Sequence, residues 1–140
     1  MEIFSGLAVK KENNKKTALS VCAPGELHYL GLRMLSDLLE FAGWNSLFLG
    51  TNVPVQNLLG LCKTSGADLL ALSATLPQHL EALTSQIDAF RRDPALGKLK
   101  IMVGGAAFLG NPGLSRELGA DGYAENALEG LKLAEKLTQG

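Results

Sequence analysis

From Thr17 onward, short apolar runs alternate with stretches whose apolar residues recur at helical spacing, and this alternation constrains the fold more than any other feature. The runs Thr17 to Ala23, Ser46 to Leu49, Asp68 to Leu72, Lys100 to Val103 and Asp121 to Ala124 are each too short for a helix and read as five strands. Between them the spacing predicts a helix from about Tyr29 to Ala42, where Gly31, Leu35, Leu38 and Ala42 share a face, ended by Gly43. A second runs from Val55 to Thr64, and a third starts at Pro77 and continues through Leu80, Leu83, Ile87 and Phe90. A fourth lies near Pro112 to Leu118, and the last ends at Leu137.

Strands that alternate with helices pair in parallel, and their crossovers are right-handed, so every loop that follows a strand lies on one edge of the sheet. The expected fold is α/β: a single Rossmann-like (flavodoxin-like) domain, with a five-stranded parallel sheet and helices on both faces. A chain of 140 residues suffices for one hydrophobic core and not two. Met1 to Lys16 end in Lys10-Lys11-Glu12-Asn13-Asn14-Lys15-Lys16, a run without apolar period that reads as a solvated polar arm, leaving 17–140 as the domain. Trp44 and Phe90 are expected in the core, Cys22 and Cys62 as buried thiols.

Thirteen Lys and Arg against fourteen Asp and Glu leave a net charge of -1, so no basic footprint for direct nucleic-acid binding is visible. The longest uncharged stretch, Phe41 to Cys62, carries Asn45, Asn52, Pro54, Gln56 and three glycines, which would be costly in a membrane. Glu2 comes first and lysines only from Lys10, the reverse of a signal peptide, and two cysteines make no disulfide framework. These features lead to the expectation of a cytoplasmic protein.

Ligands of open parallel sheets bind outside the strands' carboxyl ends. The residues there are Pro24 to Gly31, Gly50 to Asn52, Ser73 to Leu76, Gly104 to Ala106 and Tyr123 to Glu125. Neither Gly-x-x-x-x-Gly-Lys-Ser/Thr nor, at the first strand, Gly-x-Gly-x-x-Gly is present, which removes the common nucleotide readings. His28, one of two histidines, stands two residues after Glu26. A carboxylate bonded to one imidazole nitrogen fixes the tautomer and raises the basicity of the other, which suits a metal ligand; a histidine that merely caps the first helix is the plainer reading. The second, His79, falls near the start of a helix and is expected to be exposed. One histidine cannot build a zinc site, so a metal at His28 would have to bring its other ligands with it, as in a macrocycle.

These residues carry a resemblance. Glu26-Leu27-His28-Tyr29-Leu30-Gly31, Ser73-Ala74-Thr75 and Gly104-Gly105 resemble the three signatures of cobalamin-binding domains, Asp-x-His-x-x-Gly, Ser-x-Leu and Gly-Gly. The 41 residues between the first two (32 to 72) and the 28 between the second and third (76 to 103) match the family's spacing. The likeness continues through Trp44 to Pro54 and Gly119 to Ala124, covering nearly everything after Lys16. Two positions depart from it. Glu26 replaces Asp, a form that resembles cobalamin-binding regulators, light-sensing repressors included, more than methyltransferases. Thr75 replaces Leu, leaving the apolar packing along the cofactor's tail open.

The resemblance implies that cobalamin binds with its own base off the cobalt and its nucleotide tail threaded into the sheet edge. His28 would then be the lower axial ligand, with Glu26 holding its far nitrogen. Gly31, Gly104 and Gly105 would clear the tail's path, Ser73 would hydrogen-bond the displaced base, and Tyr123 would close the slot. Leu27, Tyr29, Leu30, Thr75, Leu76 and Ala106 complete the expected cofactor-binding set. Sixteen residues before the first strand cannot form the helical bundle that family members often place over the upper ligand, so a helical-bundle or effector partner is expected to cover that face. No catalytic residue of the chain's own is apparent. The expected role is a sensory or regulatory module binding adenosyl-, methyl- or hydroxocobalamin. The alternatives are a methyl carrier or small subunit of a methyltransferase or mutase, and a haem-binding sensor of the same fold.

Overall fold

The computed structural model describes residues 13–111 and 113–139. In chain order the elements are β1 (Thr17–Cys22), α1 (Leu30–Phe41), β2 (Asn45–Gly50), α2 (Val55–Ser65), β3 (Leu69–Ser73), α3 (Leu80–Arg92), β4 (Lys100–Gly104), α4 (Leu114–Glu117), β5 (Gly122–Ala124) and α5 (Ala127–Leu137). A 3₁₀ turn, Pro77–His79, leads directly into α3. The strands form one sheet in the order β2-β1-β3-β4-β5, every pair parallel. The five-stranded parallel α/β fold expected from the sequence is the one formed.

Strands buried on both faces have no solvent-facing side, which is why β1 and β3 show no regular alternation of apolar and polar residues. Their side chains still alternate. Leu19, Val21, Leu70, Leu72, Ile101 and Val103 pack under Leu58, Cys62, Leu83, Ile87 and Phe90 of α2 and α3. Ala18, Cys22, Ala71, Met102 and Ala124 turn the other way, under Leu32, Leu35 and Leu39 of α1 and Ala134 of α5, with Trp44 beside them. α1 and α5 approach closely because α5 carries Gly130 at the crossing, where a Cβ would stand 2.9 Å from Leu35 Cδ1.

Register positions the site. Cys22, Ser73, Gly104 and Ala124 are consecutive partners across β1, β3, β4 and β5, so they form one row at the carboxyl edge, all facing α1 and α5. The sequence ends β3 and β4 at Leu72 and Val103, but pairing carries each one residue further and makes Ser73 and Gly104 strand residues. Strand order reverses at β1, whose chain continues to β2 on one side while β3 lies on the other, and a crevice opens there between the loops after β1 and β3.

Two local expectations change. The fourth helix is a single turn, Leu114–Glu117; Pro112, its expected start, lies outside the described residues. Of the expected arm, residues 1–12 also lie outside them, and the end of it is not simply solvated. The Asn14 N–H donates to the Gly43 carbonyl at 2.9 Å. The Lys16 ammonium lies 5.5 Å from the Trp44 ring centre and donates to Thr138 Oγ1. Among the described residues no helix is long and apolar enough to cross a membrane.

Candidate cofactor site

After β1 the chain turns at once. The Glu26 N–H donates to the Ala23 carbonyl at 2.9 Å, closing a four-residue turn with Pro24 second and Gly25 third, the latter at φ +83°. This turn drives the Glu26 side chain inward. Its carboxylate is fully buried in the crevice between the loops after β1 and β3, a costly position for a charge unless it is surrounded by donors. It is. Oε2 accepts from the Leu27 and His28 N–H groups, both at 3.1 Å, and from His28 Nδ1 at 2.8 Å. Oε1 accepts from the Thr75 N–H, from the Leu76 N–H at 3.3 Å, and from His79 Nδ1 at 3.1 Å.

Burial alone would raise the Glu26 carboxyl, but the Thr75 N–H, the His28 ring and N–H, and the His79 ring outweigh it and hold the group far below the usual carboxylate range. A permanent carboxylate accepts only, so the Nδ1 of each imidazole is the donor and the proton sits there. In the neutral ring this leaves the His28 Nε2 lone pair free, on a side chain 64% exposed. The Cys22 thiol lies behind this loop, 3.7 Å from the His28 carbonyl. Burial first, then the Glu26 charge, push it up to about 11, so it is a neutral thiol and no competing ligand.

Beside this constellation a slot runs into the sheet edge between α1 and the start of α5. Ala71, Ser73, Met102 and Gly104 form its floor, Gly31 and Leu35 one wall, and Ala124 to Ala127 the other. Its cavity is about 170 Å³ and opens to solvent, smaller than the ~300–1,000 Å³ of a site that encloses a whole small molecule, so it takes one end of a ligand whose remainder lies outside. A Cβ on Gly31 would meet nothing within 4 Å. Position 31 lies one helical turn before Leu35, on the same face of α1, so the missing side chain leaves open the space above the slot. These residues fit a group that joins a macrocyclic metal at His28 to a flat base and its nucleotide linkage in the slot.

The expected residues divide accordingly. Glu26, His28, Gly31, Ser73, Thr75, Gly104 and Gly105 gather at the Glu26–His28 pair or line the slot beside it. Leu76 takes part only through its N–H to Glu26. Leu27, Tyr29 and Leu30 stand exposed around His28, Leu30 at 70%, outside the slot. Ala106 is exposed and does not line it either. Tyr123 is a correction. Alternation along β5 turns Ala124 toward the slot and therefore Tyr123 to the opposite face, where its ring packs 5.8 Å from that of Phe108.

Gly105 is constrained by the protein itself: with φ +107°, a Cβ there would stand 2.2 Å from the Ala74 carbonyl oxygen. His79 is the second correction. It is 16% exposed and bonded to Glu26 rather than exposed on a helix start, a contact across 53 residues that no local pattern announces. The slot's floor and walls, Leu35, Ala71 and Met102 among them, also went unmarked, because in sequence they look like ordinary core. Among the described residues no three His, Cys, Asp or Glu converge as a metal site, so His28 stands as a single imidazole.

A family model described as the B12 binding domain matches residues 16–132. The chain belongs to that family. Cobalamin is the cofactor of a B12-binding domain, which puts it ahead of the haem alternative. Among similar proteins, the dimethylamine corrinoid protein of Methanosarcina barkeri is 33% identical over 113 residues, 81% of this chain and 52% of that one. The structure of the Methanosarcina barkeri monomethylamine corrinoid protein superposes with a TM-score of 0.77 at 28% identity, over 87% of this chain and 57% of the other. A cobalamin-binding protein from Desulfitobacterium hafniense, 24% identical over 89% of this chain and 60% of its own, shares the fold with a TM-score of 0.81. The B12-binding domain described here spans about half the length of the curated corrinoid relatives.

Proposed function

We propose that this chain is the corrinoid-binding module of a methyl-transfer system, holding cobalamin base-off with His28 Nε2 as the lower axial ligand. The observation that carries the reading is the His28–Glu26 pair at the mouth of an open slot: a tautomer fixed by a permanent carboxylate, beside a space that a displaced base and its nucleotide linkage would fill. Bound cobalamin would supply a cobalt able to carry and release an upper axial methyl group. The residues of this chain bind and orient. Glu26 keeps the proton on Nδ1 and lends basicity to Nε2. Ser73 offers a hydroxyl at the slot floor, and Gly31 and Gly104 leave room for the linkage.

The carrier reading takes precedence over the sensory one because relatives at 30% identity and above are named corrinoid proteins, whereas sensing rested on Glu26 alone. Those relatives are longer, and a helical cap or partner methyltransferase would supply what faces the upper ligand. The exposed Leu27, Leu30 and Met34 near His28 give such a cover an apolar surface to meet.

The test is direct. The purified chain mixed with hydroxocobalamin is expected to keep a corrinoid spectrum through desalting, and His28→Ala to shift that spectrum and weaken retention. Equal retention with an unchanged spectrum in the variant would remove the ligand assignment. For the role, demethylation of the methylcobalamin-loaded chain by a corrinoid methyltransferase supports carriage; a light-dependent change in oligomeric state with no methyl transfer would return the reading to sensing.

A further inference from the structure

We infer that His79 is a positioning residue for cobalt ligation: it anchors the far oxygen of Glu26 and so sets how firmly His28 is presented to the metal. The inference rests on the reading of His28 as cobalt ligand. His28 is 64% exposed, and its ring nitrogen is bonded to a single protein group, Glu26 Oε2. Its orientation therefore depends on how rigidly that carboxylate is held. The local donors, the N–H groups of Leu27 and His28, all act on Oε2 and move with the same loop. The anchors outside the loop act on Oε1: the N–H groups of Thr75 and Leu76, and the ring of His79. Of these, only His79 is a side chain.

His79 is itself well fixed. Its N–H donates to the Leu76 carbonyl at 3.0 Å, and it closes the 3₁₀ turn at the point where α3 begins. The Gly25 turn leaves space over its ring, where a Cβ at position 25 would stand 3.4 Å from Nε2. With both oxygens engaged, the carboxylate is excluded from water. Removing the His79 ring would admit water to Oε1, screen the carboxylate and loosen its hold on His28.

The test reads the ligand itself. Cob(II)alamin is added to the full chain carrying ¹⁵N-labelled histidine, and the electron paramagnetic resonance spectrum is recorded. Splitting of the cobalt lines into doublets marks coordination by a protein imidazole, and triplets mark the cofactor's own base or any other ¹⁴N donor. Loss of a group that orients a metal ligand typically costs 10–100-fold in affinity. His79→Ala is expected to lower the ratio of histidine-bound to unbound cobalt roughly tenfold. His79→Asn, whose amide nitrogen stands where ring Nδ1 was, is expected to restore most of it. An unchanged or increased ratio in His79→Ala, or an equal loss in His79→Asn, would overturn the inference. Triplets in the unsubstituted chain would instead overturn the ligand assignment of His28, on which it rests. Thermal melting of the cobalamin-free variants separates either result from misfolding.

Discussion

Gly31 offers the sharpest perturbation, because fold stability and cofactor binding are expected to move in opposite directions. It is the second residue of α1, and a Cβ there would meet no atom within 4 Å. Replacing it by Ala removes the backbone freedom of a helical glycine and should stabilise the cobalamin-free fold by about 0.5–1 kcal/mol. Gly31→Val adds two methyls whose χ1 is nearly fixed in a helix, so they cannot swing clear of the space above Leu35. If a nucleotide tail passes there, the conflict resembles overpacking and costs about 1–3 kcal/mol, a roughly 5- to 140-fold weaker affinity at 1.4 kcal/mol per factor of ten. Titration with hydroxocobalamin gives the affinity, and thermal melting of the cobalamin-free protein gives the stability. Ala should bind nearly as the unsubstituted chain does, with Val far weaker and no less stably folded. Equal affinity for all three would mean that nothing passes beneath position 31, and the slot would lose its assigned occupant.

Two further perturbations separate structure from binding. Gly105→Ala should destabilise the protein by at least about 3 kcal/mol with or without cofactor, since φ +107° and a 2.2 Å approach to the Ala74 oxygen are both unavoidable; a urea midpoint near that of the unsubstituted chain would refute this. Glu26 predicts an acid limb. Its folded value lies below the unfolded value of about 4.3, so the unfolded chain takes up the proton first, and the stability Glu26 contributes is present above that pH and lost as pH falls below it, at up to about 1.4 kcal/mol per pH unit. Glu26→Gln should be less stable at neutral pH and show a shallower acid limb in urea unfolding; an identical limb would show that other carboxylates carry it.

The fold class was legible because each strand is a short apolar run between amphipathic helices, a pattern that calls for a parallel sheet with both faces covered, whereas the strand order was not. The contact between Glu26 and His28 was legible because they stand two residues apart in one turn. The resemblance put Ser73 and Gly104 at the site, and what could not be read is how the sheet brings them together. Ser73, Gly104 and Ala124 become neighbours only through register. The resemblance puts Tyr123 at the slot, but alternation along the short β5 turns it to the opposite face. His79 meets Glu26 across the crevice where strand order reverses, a contact between loops that follow different strands.

That contact bears on why position 26 is Glu. Oε2 is satisfied within the loop itself, by the Leu27 and His28 N–H groups and the His28 ring. Oε1 is satisfied by Thr75, Leu76 and His79, 49 to 53 residues away, on the far side of the crevice. An aspartate that kept the local bonds would draw the second oxygen back by one methylene, about 1.5 Å, beyond the reach of a 3.1–3.3 Å hydrogen bond to Leu76 or His79. The longer side chain thus matches an imidazole across the gap, and the two loops are cross-linked before any cofactor arrives. On this reasoning Glu26 reports the distance between two loops of this fold and carries no information about sensing. Its Asp variant should gain little from His79, so that His79→Ala costs much less cobalt ligation in the Glu26→Asp background than alone; equal costs in both backgrounds would mean that the two residues act independently.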